Sequence, residues 1–158
     1  MENETVLIVD DDNDAVEILE LFLSSMNYQT LAACNGKSGL KIALERHPDL
    51  IFLDLNMPIM GGLEMLKELH QKECALPVIF VTANGSEKIA IEAFRLGVRE
   101  YLNKPFTGDE VRRVMDHALR ETRLAREREI LNHNLHTAEA VRVTAVTLSH
   151  YLNNYLTA

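Results

Sequence analysis

The sequence is poor in cysteine, and its two cysteines share no motif. Cys34 and Cys74 stand in unrelated contexts, with no CxxC pair and no metal-ligand spacing around either one. This pattern argues against a disulfide framework or a cysteine-bound metal, and it is typical of reduced thiols in a cytosolic protein.

Targeting segments and excess positive charge are also missing. The first five residues are acidic and polar, without the basic and apolar regions of a signal peptide. No apolar run approaches the roughly 20 residues of a membrane span. The formal net charge of -8 argues against a general nucleic-acid binder. We therefore expect a cytoplasmic chain with no membrane contact and no direct contact with nucleic acid.

Hydrophobic residues make up 47% of the 158 positions, which is enough for a buried core. Three unbroken apolar runs predict strands that are buried on both faces, as in a parallel sheet. They lie at 6–9, 50–53 and 78–81. Two weaker strands are predicted at 28–32 and 100–103.

Helical patterns alternate with these strands. They cover 14–26, 37–46, 62–71 and 86–96, and a fifth helix begins near Thr107. Ser86 is the predicted cap of the fourth helix, and Gly97 follows its end. This β-α alternation predicts an α/β fold with a parallel sheet and helices on both faces. We expect this domain to span residues 1–120.

A long helical extension is predicted for residues 121–158. This segment contains no glycine or proline, and apolar residues recur every seven positions. The repeat consists of Leu124, Leu131, Ala138, Ala145 and Leu152. A two-stranded coiled coil and a helical bundle both fit the pattern, with a break near 132–134 as a further option.

Chemistry-bearing side chains follow four of the five predicted strands. The first strand runs into Asp10, Asp11 and Asp12, the third ends in Asp54, the fourth ends in Thr82, and the fifth leads to Lys104. Ligands of open parallel sheets bind beyond the carboxyl ends of the strands, so these side chains should meet at one edge.

Such a cluster has a definite chemical use. Converging carboxylates repel one another, and Mg²⁺ relieves the repulsion because it prefers oxygen ligands and phosphate. Lys104 adds a positive charge and Thr82 a hydroxyl donor for phosphate oxygens. Asp54 is then the nucleophile that forms an aspartyl phosphate.

Four segments carry a family resemblance. VLIVDDD (6–12), DLIFLDLNMPIMGG (49–62), VIFVTAN (78–84) and YLNKPF (101–106) resemble the signature segments of response-regulator receiver domains. The resemblance implies a flavodoxin-like, five-stranded parallel sheet of order 2-1-3-4-5, flanked by five helices. It also implies a place in a two-component phosphorelay, with a histidine kinase or phosphotransfer protein as partner.

The resemblance also implies roles for individual residues around the metal. Asp54 is similar to the phosphorylated aspartate of the family. Asp11 resembles the direct Mg²⁺ ligand and Asp10 the acid that acts on the ion through water. The backbone carbonyl of Asn56 resembles a further ligand. Asp12 extends the acidic run.

A second set of residues resembles the family's switch. Thr82 and Lys104 resemble the residues that contact the phosphoryl group, and Tyr101 resembles the aromatic side chain that changes rotamer. A half-buried structural aromatic is the alternative for Tyr101. Pro105 is expected to follow a cis peptide bond that directs Lys104 toward the phosphate.

Three other classes share parts of this pattern. A flavin-binding relative would have a phosphate-binding turn after the first strand, where three aspartates stand here. A dehalogenase-type phosphatase would need an aspartate at position 56, which is Asn56. A purely structural α/β module leaves the charged edge unexplained.

The end of the sequence resembles the H-box of histidine kinase dimerisation helices. Leu148, Ser149, His150 and Asn154 fit that pattern, whereas Tyr151 stands in place of its acidic residue. His150 is thus a candidate phospho-accepting histidine, with an ordinary surface histidine as the alternative. We then expect either a fragment of a longer receiver–kinase protein or a chain with a degenerate dimerisation helix. We expect a homodimer, formed through the extension or through the face of the fourth helix, fifth strand and fifth helix.

Overall fold

The structure is a computed structural model that describes residues 4–83 and 87–156, apart from the side chains of residues 87 and 154–156. The predicted cap at Ser86 lies outside these residues. Contacts divide the chain into two units, Met1–Leu119 and Arg120–Ala158, and each is described by itself.

Five parallel strands form one sheet in the order β2-β1-β3-β4-β5. Their bounds are β1 Thr5–Val9, β2 Gln29–Ala33, β3 Leu50–Asp54, β4 Val78–Thr82 and β5 Val98–Asn103. The predicted α/β, flavodoxin-like fold and its strand order are confirmed. The fifth strand begins two residues earlier than predicted, and a register shift between Val78 and Ile79 accommodates the extra length beside β4.

Five helices follow the strands in turn. They are α1 Asn13–Ser25, α2 Gly36–Arg46, α3 Gly62–Gln71, α4 Glu87–Arg95 and α5 Gly108–Leu156. Gly97 has a φ of +90°, as expected of a glycine that ends a helix. The long helical extension is confirmed, and α5 continues through 132–134 without a break.

Two apolar clusters cover the two faces of the sheet. The side chains of one strand alternate between them, so Val6 and Ile8 join the first cluster while Leu7 and Val9 join the second. All residues of β3 and β4 are buried, which explains why these strands appear as unbroken apolar runs. Burial of each large side chain stabilises the fold by about 1.5–3 kcal/mol.

The second unit consists of the later part of α5. From Leu124 to Asn153 every side chain of this helix is exposed. Its apolar residues, which include Leu131 and Val141, therefore face solvent. Among the described residues, no helix has both the length and the apolar character that crossing a bilayer requires.

Candidate functional site

The site lies at the carboxyl edge of the sheet, where several polar side chains are buried although such residues are mostly exposed in proteins. Asp10 is 2% exposed, Asp54 7% and Thr82 1%. Asp10 directly follows β1, Asp54 ends β3, and Thr82 ends β4. Parallel strands bring these ends to one edge, so buried apolar strands deliver polar groups to a single place.

Three carboxylates meet at this edge. Ligand oxygens of Asp10, Asp11 and Asp54 all lie within 4.8 Å of one another. Asp12 has a different task, because its Oδ1 accepts a hydrogen bond from the backbone N–H of Asp14 at 3.0 Å and caps α1. The structure thus separates the three consecutive aspartates into two site residues and one helix cap.

Lys104 enters the cluster from the end of β5. Its Nζ lies 2.7 Å from Oδ2 of Asp10 and 3.5 Å from Oδ1 of Asp54. The Lys104–Pro105 peptide bond is cis, as the sequence predicted. The backbone N–H of Lys104 donates to the carbonyl of Thr82 at 2.9 Å, which ties this loop to the end of β4.

The electrostatics of the edge are unbalanced toward negative charge. Burial raises the pKa of Asp54, as does the neighbouring charge of Asp10, and Lys104 offsets only part of this effect. Burial alone would lower the pKa of Lys104. Its hydrogen bond to Asp10 and the charges of both carboxylates outweigh that effect and raise its pKa.

Backbone groups hold the two buried carboxylates in position. The N–H of Asn56 donates to Oδ2 of Asp54 at 3.1 Å, and the N–H of Asp12 donates to Oδ1 of Asp10 at 2.9 Å. Each bond joins residues two apart, so a local turn orients the carboxylate. Asn56 itself lies in the loop that leaves β3, with an exposed side chain.

Gly62 also shapes the site, although no sequence pattern singled it out. A Cβ on Gly62 would lie 2.2 Å from the backbone oxygen of Asp54, so only glycine fits there. The N–H of Gly62 also donates to the carbonyl of Leu55 at 3.0 Å. Two consecutive glycines are typical of a turn, but such a pattern does not indicate this close approach to the site.

Tyr101 is half-buried between two aromatic rings. Its centroid lies 5.7 Å from that of Phe80 in an edge-on arrangement and 5.7 Å from that of Phe94. Its hydroxyl is buried and has no hydrogen-bond partner within the described residues. Burial raises the pKa of this hydroxyl. The hydroxyl therefore sits in an unfavourable environment in this conformation.

His150 lies in the second unit, on the exposed surface of α5. The remaining predicted site residues belong to the first unit. Among them, Asp10, Asp11, Asp54 and Lys104 converge directly. Thr82 is joined to Lys104 through the backbone.

The donor set fits a hard divalent cation. Three carboxylates supply oxygen atoms at the spacing of a single ion's ligands, and one lysine cannot neutralise all three. Mg²⁺ prefers such oxygen ligands and is commonly bound by one or two carboxylates together with phosphate.

A flavodoxin-like sheet with an acidic cluster and a lysine at its carboxyl edge defines the receiver class of signalling domain. The family described as the response regulator receiver domain matches residues 6–116. The chain therefore belongs to the response regulator receiver family of two-component systems. The matched residues do not include the segment around His150.

Several relatives share this domain. The chain is 34% identical over 133 residues to Regulatory protein AtoC of Escherichia coli (strain K12), covering 84% of this chain and 29% of that protein. It is 33% identical over 123 residues to the alkaline phosphatase synthesis transcriptional regulatory protein PhoP of Bacillus subtilis (strain 168), covering 78% and 51%. The chain thus spans about half or less of the length of these relatives.

Solved structures agree with the fold. The receiver domain of Francisella response regulator 1452 superposes with a TM-score of 0.69 at 32% identity, covering 75% of this chain and 99% of that chain. The chemotaxis protein CheY4 of Vibrio cholerae superposes with a TM-score of 0.70 at 26% identity, covering 74% and 99%.

Proposed function

We propose that Asp54 accepts a phosphoryl group from a phosphohistidine on a histidine kinase or phosphotransfer protein. The observation that carries this proposal is the convergence of three carboxylates within 4.8 Å beside a lysine 2.7 Å from Asp10. Such an edge would repel a phosphate unless a cation were present. Asp10, Asp11, Asp54 and the carbonyl of Asn56 would hold that ion as Mg²⁺.

The transfer step forms one bond and breaks another. A carboxylate oxygen of Asp54 attacks phosphorus, the phosphorus–nitrogen bond of the donor breaks, and the imidazole nitrogen keeps the electron pair. Bound Mg²⁺ would supply neutralisation of the charge on the phosphoryl oxygens. The backbone N–H of Asn56, already 3.1 Å from Oδ2, orients the nucleophile for attack.

Lys104 and Thr82 would recognise the transferred group. The ammonium of Lys104 is 3.5 Å from Oδ1 of Asp54, close enough to contact a phosphoryl oxygen attached there. Thr82 ends the neighbouring strand and supplies a hydroxyl. The same residues serve hydrolysis of the aspartyl phosphate, which is the receiver's own catalytic activity.

Tyr101 would be the moving part of the switch. Its buried hydroxyl has no partner within the described residues, so a rotamer that reaches water or a polar group would be favoured once Thr82 shifts. Phosphorylation then acts by a population shift between two states. The C-terminal helix would carry the signal onward.

A second candidate function is that of a receiver joined to a histidine kinase, and it depends on His150. His150 is exposed on a continuous helix and is preceded by Leu148 and Ser149, which resemble an H-box. The chain would then be the receiver portion of a longer receiver–histidine kinase protein, and the extension the start of its dimerisation domain. Radiolabelling of His150 by a kinase ATP-binding domain added in trans would support this; a wild-type chain that takes up no label, or labelling that persists in His150→Gln, would count against it.

The main proposal is tested with acetyl phosphate as donor and Mg²⁺ in solution. Phosphate-affinity gels should show one phosphorylated species that disappears in Asp54→Asn and in EDTA. Asp11→Asn should slow labelling strongly. Asp12→Asn is the matched control, because asparagine preserves the cap of α1 while leaving the cluster intact. Equal labelling in Asp54→Asn and wild type would refute the assignment.

A further inference from the structure

The extension of α5 presents an apolar seam, and every side chain that the structure describes between Leu124 and Asn153 is exposed. Apolar or small residues occupy every seventh position, and Leu131 is 61% exposed and Leu152 57% exposed. Taking Leu124 as position a of a heptad, position d is held by Glu127, Asn134, Val141 and Leu148. A single helix of this kind is marginal in water, because most helical stability comes from a packed apolar face.

The spacing of the seam restricts what can cover it. A repeat of 3.5 residues stays in contact only with another helix of the same period. A second copy of this chain necessarily has that period. In a pair of identical helices, the residues beside the seam must also contact one another favourably, and the contacts they make differ between parallel and antiparallel pairs.

Two apolar residues beside the seam favour a parallel, in-register pair. Ile130 and Leu135 are 61% and 66% exposed, although they occupy positions g and e. In a parallel, in-register pair, position g of one helix faces position e of the following heptad on the partner helix. Ile130 of one copy then packs against Leu135 of the other, which explains both apolar residues.

Asn134 supports the same arrangement. It lies in the seam between Leu131 and Ala138, where a buried amide without a partner would be costly. In a parallel, in-register pair the two Asn134 side chains meet, and an amide can both donate and accept a hydrogen bond. The contacts between Ile130 and Leu135 flank this layer and shield it from water.

We infer that residues 124–152 form a parallel, in-register, two-stranded coiled coil with a second copy, in which Asn134 sets the register. The inference extends the proposed output through the C-terminal helix. It does not require phosphorylation of Asp54, and its tests use neither Mg²⁺ nor a phosphodonor. Its failure is therefore distinguishable from failure of the proposed function.

The first test compares two exposed apolar residues on opposite faces of the helix. Leu148 lies in the seam and is 56% exposed, and Val146 lies outside it and is 62% exposed. Sedimentation equilibrium of the full chain should give a dimer for wild type and for Val146→Arg, and a monomer for Leu148→Arg. A monomeric wild type, a trimer or tetramer, or equal dissociation by both variants would overturn the inference.

The second test measures orientation and register by disulfide trapping. In a background where Cys34 and Cys74 are replaced by serine, Ala145→Cys at position a should form an intermolecular disulfide under mild oxidation. In an antiparallel pair over residues 124–152, position 145 would face Leu131 of the other copy, and no such disulfide would form. Ala140→Cys, at position c, is the matched control and should not form one. Equal trapping at both positions would contradict the parallel, in-register seam.

The third test addresses Asn134. Asn134→Leu should lower the dissociation constant of the dimer by about tenfold, because an apolar pair replaces an amide pair in the seam. It should also relax the specificity for two strands, which sedimentation would detect as larger species. An unchanged or raised dissociation constant with a strictly dimeric mass would show that Asn134 does not lie in a packed seam.

Discussion

Replacement of Gly62 by alanine should destabilise the receiver unit through one backbone clash. A Cβ at this position would lie 2.2 Å from the backbone oxygen of Asp54 and 3.0 Å from its carbonyl carbon. Cβ atoms essentially never lie closer than 3.0 Å to such atoms, so α3 or the end of β3 must move by about 0.8 Å. Neither neighbour is a flexible side chain, so the strain has no easy release.

The expected cost follows from two opposing effects. Overpacking of this kind costs about 1–3 kcal/mol. Alanine regains up to about 1 kcal/mol because it is a better helix former than glycine. Since Gly62 is the first residue of α3, that gain is only partly realised, and the free energy of unfolding should fall by about 2 kcal/mol.

Gly61→Ala is the matched control. Gly61 has a φ of -75°, which alanine adopts freely, and its nearest neighbour would be the backbone oxygen of Leu55 at 3.2 Å. Urea denaturation should therefore show a change within about 1 kcal/mol for Gly61→Ala. Labelling of Asp54 by acetyl phosphate should slow in Gly62→Ala only. Equal stability of the two variants would refute the clash as the reason for this glycine.

Three further outcomes follow from the site. In EDTA at acid pH, Asp54→Asn should have the same stability as wild type. As the pH rises through the raised pKa of Asp54, ionisation of this carboxyl opposes folding of the wild type, so Asp54→Asn should become the more stable protein. Thermal denaturation of both proteins at the two pH values checks this. Lys104→Met should lower the free energy of unfolding by about 2 kcal/mol at neutral pH, because it leaves the carboxylates of Asp10 and Asp54 without their cationic partner. The loss should be smaller at a pH where Asp54 is protonated. An unchanged urea midpoint would contradict the ion pairing. Tyr101→Phe should raise the free energy of unfolding by about 1 kcal/mol, because it deletes a buried hydroxyl with no partner among the described residues; a loss in urea denaturation would reveal a hidden hydrogen bond.

Local patterns were sufficient to predict most of the architecture. The apolar runs at β1, β3 and β4 are buried throughout, so composition alone located them. The start of β5 was harder to predict, because Val98 precedes two charged residues and its pairing with Val78 depends on an irregular register. No short-range pattern encodes such an irregularity.

The residues at the strand ends were also predictable, but their partners were not. Asp54 and Lys104 were expected at one edge because parallel strands share their polarity. That the ammonium lies nearer to Asp10 than to Asp54 depends on where the loop after β5 places Lys104. Similarly, three consecutive aspartates look equivalent until one of them is seen to cap α1.

The amino-acid sequence by itself determined the alternation of strands and helices, the acidic edge and the apolar repeat of the extension, because each depends on residues only a few positions apart. Tertiary structure alone decided which carboxylates meet, why Gly62 admits no side chain, and how deeply the hydroxyl of Tyr101 is buried. These properties depend on distances between groups far apart in the chain, and only packing of the completed core sets such distances.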